Sequence, residues 1–264
     1  YAIAALMHDG KALQAATSHY CGDGFARAFG ITYTDRENKV CHPFQTSWGS
    51  TTRMIGGIIM THGDDNGLVL PPSVAPIQVI IIPVQQHKEG VLAEAYKVAD
   101  VLRAAGIRVK VDDSENSPGW KFAEYEMKGV PVRLELGPRD IENGQCVLVT
   151  RHNREKTFHP LAGIAEAVQE KLEAVRQGMF EKALANRERR TYDCRTMEEI
   201  NAALQNGDGF VRAMWCGDEA CEDTVKEKTG VGSRCIPLTE EHLSDVCVCC
   251  GKPARHMVVW GKAY

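Results

Sequence analysis

The sequence predicts a multidomain chain of mixed α/β and α+β class, and three observations carry that expectation. Residues 1 to about 75 read as a series of short strands punctuated by glycine turns, with helical spacing between them. From about residue 76 to 160, apolar strands alternate with amphipathic helices, the pattern of an open α/β layer. Roughly the last fifty residues hold Cys216, Cys221, Cys235, Cys247, Cys249 and Cys250, six of the ten cysteines, in a small α+β module.

Composition bounds the possibilities. A chain of 264 residues can bury two or three separate small cores. Its 44 % hydrophobic and 25 % charged residues are ordinary for a soluble globular protein. The formal net charge of −4 gives no global basic field, so any nucleic-acid contact must come from local patches. No run approaches the ~18 apolar residues of a membrane helix, and no secretory signal opens the chain. Without a signal peptide the cysteine crowding favours metal over disulfides, and the expected location is cytoplasmic.

In the first segment, expected to span residues 1–75, Ala2 to Met7 reads as a strand, His8-Asp9-Gly10 as a turn and Lys11 to Gln14 as a further short strand. Phe25, Ala26 and Phe29 fall at helical spacing up to Gly30, and Asp35 to Lys39 reads as a hairpin loop. Ser50 stands where a short polar side chain can cap the helix that follows, on which Met54, Ile55, Ile58 and Ile59 share one face. Gly56 and Gly57 interrupt it at roughly 1 kcal/mol each against alanine, which implies a close backbone approach. Gly63-Asp64-Asp65-Asn66-Gly67 ends it, and Leu68 to Leu70 reads as a short buried strand closed by Pro71 and Pro72. The expected result is Arg53 in the first turn of a buried helix, beside free backbone N–H groups that suit a phosphate.

The second segment, residues 76–160, opens with the apolar strand Val79 to Pro83, which suits a sheet covered on both faces. A helix over 89–105 carries Val91, Leu92, Ala95, Val98, Ala99 and Leu102 on one stripe and stops at Gly106. Ile107, Val109 and Val111 alternate with cations as a strand. Ser117-Pro118 starts a helix to about Lys128. Val132 to Leu136 and Gln145 to Thr150 complete the strands. No glycine-rich phosphate loop accompanies them, which argues against a nucleotide site here.

Residues 161–190 read as one long helix, a spacer whose end carries Arg187, Arg189 and Arg190, with Arg195 beyond. A solvated helix end and a tRNA phosphate contact are both open for them. The last segment, 191–264, begins with a capping box, Thr196 to Glu199, on a helix through Leu204. Asn206-Gly207-Asp208-Gly209 then turns into a strand, Phe210 to Trp215. Cys216 and Cys221 follow as C-x4-C, and Cys247 and Cys250 form C-x2-C before Gly251-Lys252-Pro253. Two paired thiolate turns about thirty residues apart are the requirement of a closed tetrahedral zinc site. Four sulfurs leave no open position, so the site is structural and contributes to folding. Cys249 rivals Cys250, Cys235 is spare, and Cys21, Cys41, Cys146 and Cys194 read as packing residues.

TSWGSTTR (46–53) followed by HGDDNGLVLPP (62–72), with QAATSHY (14–20) upstream, resembles the third signature motif of class II prolyl-tRNA synthetases of the archaeal and eukaryotic type, and the likeness continues through most of the chain. The resemblance implies the C-terminal half of such an enzyme: the end of a class II antiparallel catalytic sheet, an anticodon-binding domain and a zinc-binding C-terminal domain. The first two class II motifs are then outside this chain. It implies activation of L-proline by ATP and transfer to the 3′ end of tRNA(Pro), with Mg2+ and a homodimer in the complete enzyme. Arg53 would meet the ATP phosphates, Gln14, Thr17 and Thr51 would make further ATP contacts, and His19 and Trp48 would wall the prolyl pocket. Glu126, Arg133 and Asp140 match positions that read the two guanines of the proline anticodon, a role arginine forks and carboxylates can fill. Plainer roles compete: Trp48 as core, His19 as a satisfied buried histidine, Glu126 and Asp140 as surface charges. A catalytically incomplete tRNA- and zinc-binding module is the competing function. The C-terminal Tyr264 approaches the active site in the family, whereas a frayed end is the ordinary expectation.

Overall fold

The structure is a computed structural model, and it describes every residue of the chain except Asn206, Asp208 and Glu240. Two of these fall in the turn expected at 206–209, which therefore lies partly outside the described residues. The chain forms two compact units, one of residues 1–61 with 186–264 and the other of residues 62–185.

In the first unit, β1 (Ala2–Leu6), β2 (Ala12–Gly22) and β5 (Gln45–Ser50) make an antiparallel sheet with β2 in the middle. α1 (Gly24–Ala28) and the two-residue pair β3 (Tyr33–Thr34) and β4 (Val40–Cys41) connect β2 to β5. The Asp35 carboxylate closes the β3–β4 hairpin by accepting the N–H groups of Glu37 and Lys39. β2 is far longer than the four residues expected, because the small polar run AATSHY carries no alternation to announce a strand. α2 (Arg53–His62) follows β5.

The rest of this unit holds β11 (Thr191–Asp193), α7 (Met197–Gln205), β12 (Phe210–Trp215), α8 (Glu219–Thr229), β13 (Gly232–Cys235) and β14 (His256–Gly261), numbered to follow the elements of the second unit. The four strands run in the order β11-β12-β14-β13. Ile200 and Val225, from the two helices, meet Val211, Ala213, Val258 and Trp260 in one apolar core. A smaller cluster joins Phe210 to Leu6 and Ala12 of the first sheet. Thr196 Oγ1 accepts the Glu199 N–H at 3.2 Å, as a capping box requires, but the Glu199 carboxylate takes the N–H of Arg195.

The second unit is built on a five-stranded sheet of β6 (Val79–Pro83), β7 (Val109–Val111), β8 (Val132–Leu136), β9 (Gln145–Thr150) and β10 (Lys156–Pro160), in the order β10-β9-β8-β6-β7. β6 pairs in parallel with β7 and β8, while β9 and β10 turn antiparallel. α3 (Val91–Ala104) and α6 (Ile164–Arg189) cover one face, with Ala95, Val98 and Leu102 beside Val168, Leu172 and Val175. α6 is therefore no bare spacer: its first four turns complete the core. α4 (Pro118–Met127) covers part of the other face, where Tyr125 and Val130 meet Ile80 and Ile82. Ser117 Oγ accepts the Trp120 N–H at 3.4 Å and caps α4 as expected. α5 (Pro138–Glu142) is a short turn between β8 and β9.

Leu68 to Leu70 is not a strand. Its N–H groups reach the end of α4 instead, Leu68 to the Met127 carbonyl at 3.0 Å and Leu70 to that of Gly129 at 3.3 Å. The contact needs glycine on both sides: a Cβ on Gly67 would stand 2.5 Å from Met127 Cα, and one on Gly129 2.7 Å from Leu68. Among the described residues no helix is long and apolar enough to cross a membrane.

Candidate active-site face, guanine-reading cluster and metal centre

Strand register decides which site residues share a face. Thr17 pairs with Gly49 and His19 with Ser47, whereas Ser18 pairs with Trp48. Side chains alternate along a strand and directly opposed pairs share a face. Thr17 and His19 therefore lie on one face and Trp48 on the other. Gln14 would fall with Trp48 by simple counting, but the ladder to β1 slips by one residue between Ile3 and Ala4, leaving Ala15 as the extra residue in β2. That bulge returns Gln14 to the face of Thr17 and His19. Gly49, opposite Thr17, has nothing within 4 Å of where a Cβ would stand, so the strip between them is open.

The helix that carries Arg53 is assembled differently from the expectation. Thr51 Oγ1 accepts the Arg53 N–H at 3.3 Å, and the Thr51 and Thr52 carbonyls accept the N–H groups of Met54 and Ile55. The cap is Thr51; the Ser50 hydroxyl points instead at Met54 Sδ. α2 is not buried, since Met54, Ile55 and Ile59 are exposed and Gly57 alone is enclosed. Gly57 admits a side chain, not a backbone: its Cβ would stand 3.3 Å from Leu13 Cδ2, while Gly56 faces open space. Leu13 lies on the face opposite Gln14, so the helix backs the sheet; the Gln14–Thr17–His19 face meets Phe210 at its Leu6–Ala12 end, while Gln14 and His19 themselves stay exposed. Arg53 and Thr51 are exposed at the helix start. Trp48, 82 % exposed, is neither core nor a neighbour of His19 across the sheet.

The chain terminus reaches this sheet. The Ala12 N–H donates to the Lys262 carbonyl at 2.7 Å, and Ala12 and Ala263 form a parallel bridge on β2 beyond the end of β5. Tyr264 lies under the Lys11 ammonium at 5.3 Å and its hydroxyl stands 3.9 Å from Met60 Sδ. Burial, with a bond to Asp9, pushes the Tyr264 phenol up. The end is tied down, not frayed. Arg190 is likewise engaged, donating to the His8 carbonyl at 2.7 Å, and Arg195 donates to that of Leu243 at 3.2 Å.

In the second unit, Arg133 is held from three sides. Its Nη1 is 3.4 Å from Glu126 Oε1, its Nε 3.0 Å from Glu135 Oε1, and its carbon centre lies 4.1 Å over the Phe122 ring. Glu135 is buried and also accepts Lys156 Nζ at 2.8 Å. Sequence reading missed Glu135; its place inside VRLEL, two residues from Arg133 on the same face of a strand, was the available signal. Asp140 is not among the partners of Arg133: its Oδ2 accepts the Gly137 N–H at 2.9 Å and caps α5. Of the three expected guanine readers, the fold thus joins Glu126 to Arg133 and gives Asp140 a structural bond.

The thiols of Cys216, Cys221, Cys247 and Cys250 all lie within 4.8 Å of one another. Cys216 follows β12, Cys221 sits in the first turn of α8, and Cys247 and Cys250 belong to one turn. There the Gly251 N–H donates to the Cys247 carbonyl at 3.0 Å, and the Cys247 N–H to that of Lys252 at 2.8 Å. Gly251 takes φ +70°, which glycine adopts at little cost. The Lys252 N–H aimed at Cys250 lowers that thiol to about 7, while burial pushes Cys216 and Cys221 up. One thiol nearly ionised at neutral pH, within reach of two that burial pushes up, is an arrangement a cation completes. Cys249 packs against the apolar core of the module, and the group of four mutually close thiols is the one made with Cys250. Cys146 and Cys194 are buried in cores as expected.

Comparison with known proteins agrees with this division. Residues 197–264 match the family profile described as prolyl-tRNA synthetase, C-terminal, and residues 78–171 match that of the anticodon binding domain. Proteins named proline–tRNA ligase align over the whole chain: one from Lachnospira eligens at 59 % identity, one from Ruminiclostridium cellulolyticum at 58 % and one from Clostridium botulinum at 55 %. The chain spans 55 % of the length of each of these relatives. Residues 78–171 are therefore similar to an anticodon binding domain and residues 197–264 to a prolyl-tRNA synthetase C-terminal domain, and the chain as a whole is similar to about half the length of proline–tRNA ligases.

Proposed function

We propose that this chain serves a proline–tRNA ligase: ATP and L-proline give prolyl-adenylate, and the prolyl group passes to the 3′ end of tRNA(Pro). One observation carries the reading. The bulge at Ala15 gathers Gln14, Thr17 and His19 on one sheet face, with Gln14 and His19 exposed, and α2, with Arg53 in its first turn, backs the other face.

In this reading Arg53 meets the ATP phosphates, since a guanidinium stays charged and donates in a fork. Gln14, Thr17 and Thr51 hold the rest of the nucleotide, and His19 borders the prolyl ring. Adenylate formation then depends on positioning and on neutralising charge at the α-phosphate, for which Mg2+ is the expected helper. Glu126 and Arg133, with Asp140, read guanines of the anticodon. The domain limits 1–75, 76–160, 161–190 and 191–264 remain the functional division we propose, with homodimerisation and a cytoplasmic location as in the resemblance.

The four thiols fit zinc. A tetrahedron of ~2.3 Å zinc–sulfur bonds spaces its sulfurs about 3.8 Å apart, and Cys216 and Cys250 Sγ are 3.8 Å apart. Bound there, zinc would cross-link β12, α8 and the 247–250 turn.

The test is pyrophosphate exchange with proline, on this sequence within a polypeptide of the relatives' full length. Arg53→Ala is expected to lower exchange by several powers of ten, ~1.4 kcal/mol for each, with tRNA affinity nearly unchanged. A loss confined to tRNA binding would overturn the assignment.

A further inference from the structure

We propose that Phe158 is a stacking platform for a base of the anticodon loop, next to the Arg133 cluster and so far unassigned to any role. The proposal rests on the anticodon reading above and adds a residue to it.

Register places Phe158 on the right surface. It pairs with Val147, and Val147 pairs with Glu135, so Phe158, Glu135 and Arg133 share one face of the sheet. Strands about 4.8 Å apart put Phe158 two strands from Glu135, roughly 10 Å away and within the footprint of a single-stranded loop. β10 is the edge strand and α4 covers this face only nearer β6, so nothing in the sheet order lies beyond Phe158.

Its exposure is the unusual feature. Along β10 Thr157 and His159 turn inward and bond each other at 2.9 Å, while Lys156, Phe158 and Pro160 face out. Outward positions of an edge strand ordinarily carry polar groups, yet Phe158 is 63 % exposed and stands outside both apolar clusters of this unit. Lys156 and Arg133 stand on the same face, both paired to Glu135, with Glu126 as a second acid on Arg133, so what the surface offers beside the polar cluster is the ring. An exposed ring on the same-face rung next to theirs, in line with Glu135, offers a base its π-face, a sequence-tolerant contact.

The test uses the full 264-residue chain and a fluorescent RNA stem–loop bearing a proline anticodon, with circular dichroism to confirm folding. Phe158→Ala is expected to weaken binding about tenfold, by the same factor for this loop and for one whose two guanines are replaced by adenine. Phe158→Trp should bind as well as the parent or better. Arg133→Lys is expected to reduce the preference for guanine. Phe158→Ala binding within twofold of the parent, while Arg133→Lys loses its preference, would overturn the platform alone. Unchanged behaviour in both variants would overturn the anticodon reading and the platform together.

Discussion

Arg151 holds Asp64 by two parallel bonds, Nη1 to Oδ2 at 2.8 Å and Nη2 to Oδ1 at 2.6 Å, with Nε on the Glu126 carbonyl at 2.9 Å. The guanidinium is 2 % exposed and the carboxylate 30 %. One arginine on the loop after β9 thus fixes the HGDDNG turn against the residue that partners Arg133.

Breaking that pair should be costly. Asp64→Asn leaves a buried cation with half its partner, and loss of one member of a buried pair costs ~3 kcal/mol or more. The pH dependence has a definite sign. The Arg151 bonds hold the Asp64 carboxyl well below the usual carboxylate range. Its contribution is therefore complete above the unfolded value of about 3.9 and fades as pH falls toward the folded one. Urea unfolding should show the full deficit of Asp64→Asn at neutral pH and a smaller one under strong acid. An equal deficit at both would mean that the charge is not what matters.

The glycines behind the same turn make a paired experiment. Gly129 and Gly144 both take positive φ, +71° and +63°, but only Gly129 is crowded, with Leu68 at 2.7 Å from its would-be Cβ. Gly144→Ala is expected to cost ~1–2 kcal/mol from conformation alone. Gly129→Ala adds a steric clash that displaces Leu68 from the Met127 carbonyl, so its unfolding midpoint should fall clearly further. Equal shifts would contradict the packing.

How far the fold could be read from sequence follows from the same physics. β6, α3, β8, β9 and β12 announced themselves by periodicity because each buries a face. α8 did not: in EACEDTVKEKT only Cys221 and Val225 are buried, too few to make a stripe. β13 and β10 were missed for related reasons, one short and opened by glycine, the other showing its aromatic outward. At the candidate site, QAATSHY and TSWGSTTR named the residues, but not their faces. A one-residue bulge at Ala15 joined Gln14 to His19, and pairing with Ser18 turned Trp48 away. Neither event leaves a trace in spacing. The four-thiol cluster was the most legible part, since paired cysteines at close spacing in the chain are also brought close in space.

Removal of the metal should separate the modules. Elemental analysis is expected to find one zinc per chain, and a strong chelator to loosen the C-terminal strands while the sheet of residues 79–160 keeps its protection from hydrogen exchange. Cys250→Ser should release the metal more readily, whereas Cys249→Ser should retain it at a modest packing cost. The opposite order would move the fourth ligand to Cys249.

Trp48 and His19 provide the sharpest test of the register. Both stand in the motif, and resemblance alone would have them wall one pocket. Yet Trp48 pairs with Ser18, and Ser18 alternates with Thr17 and His19, so an indole at position 48 cannot flank a ligand on the His19 face without a second bulge. In a polypeptide of the relatives' full length, His19→Ala is expected to raise the KM for proline in pyrophosphate exchange by about tenfold, the effect of losing one good contact of ~1.4 kcal/mol. Trp48→Ala should leave that KM within about threefold and act instead on association, with little effect on stability, because a ring this exposed covers little of its own chain. Should Trp48→Ala raise the proline KM as much as His19→Ala, the β2–β5 register described above would be wrong in the active enzyme. The bulge at Ala15 would then need a counterpart in β5.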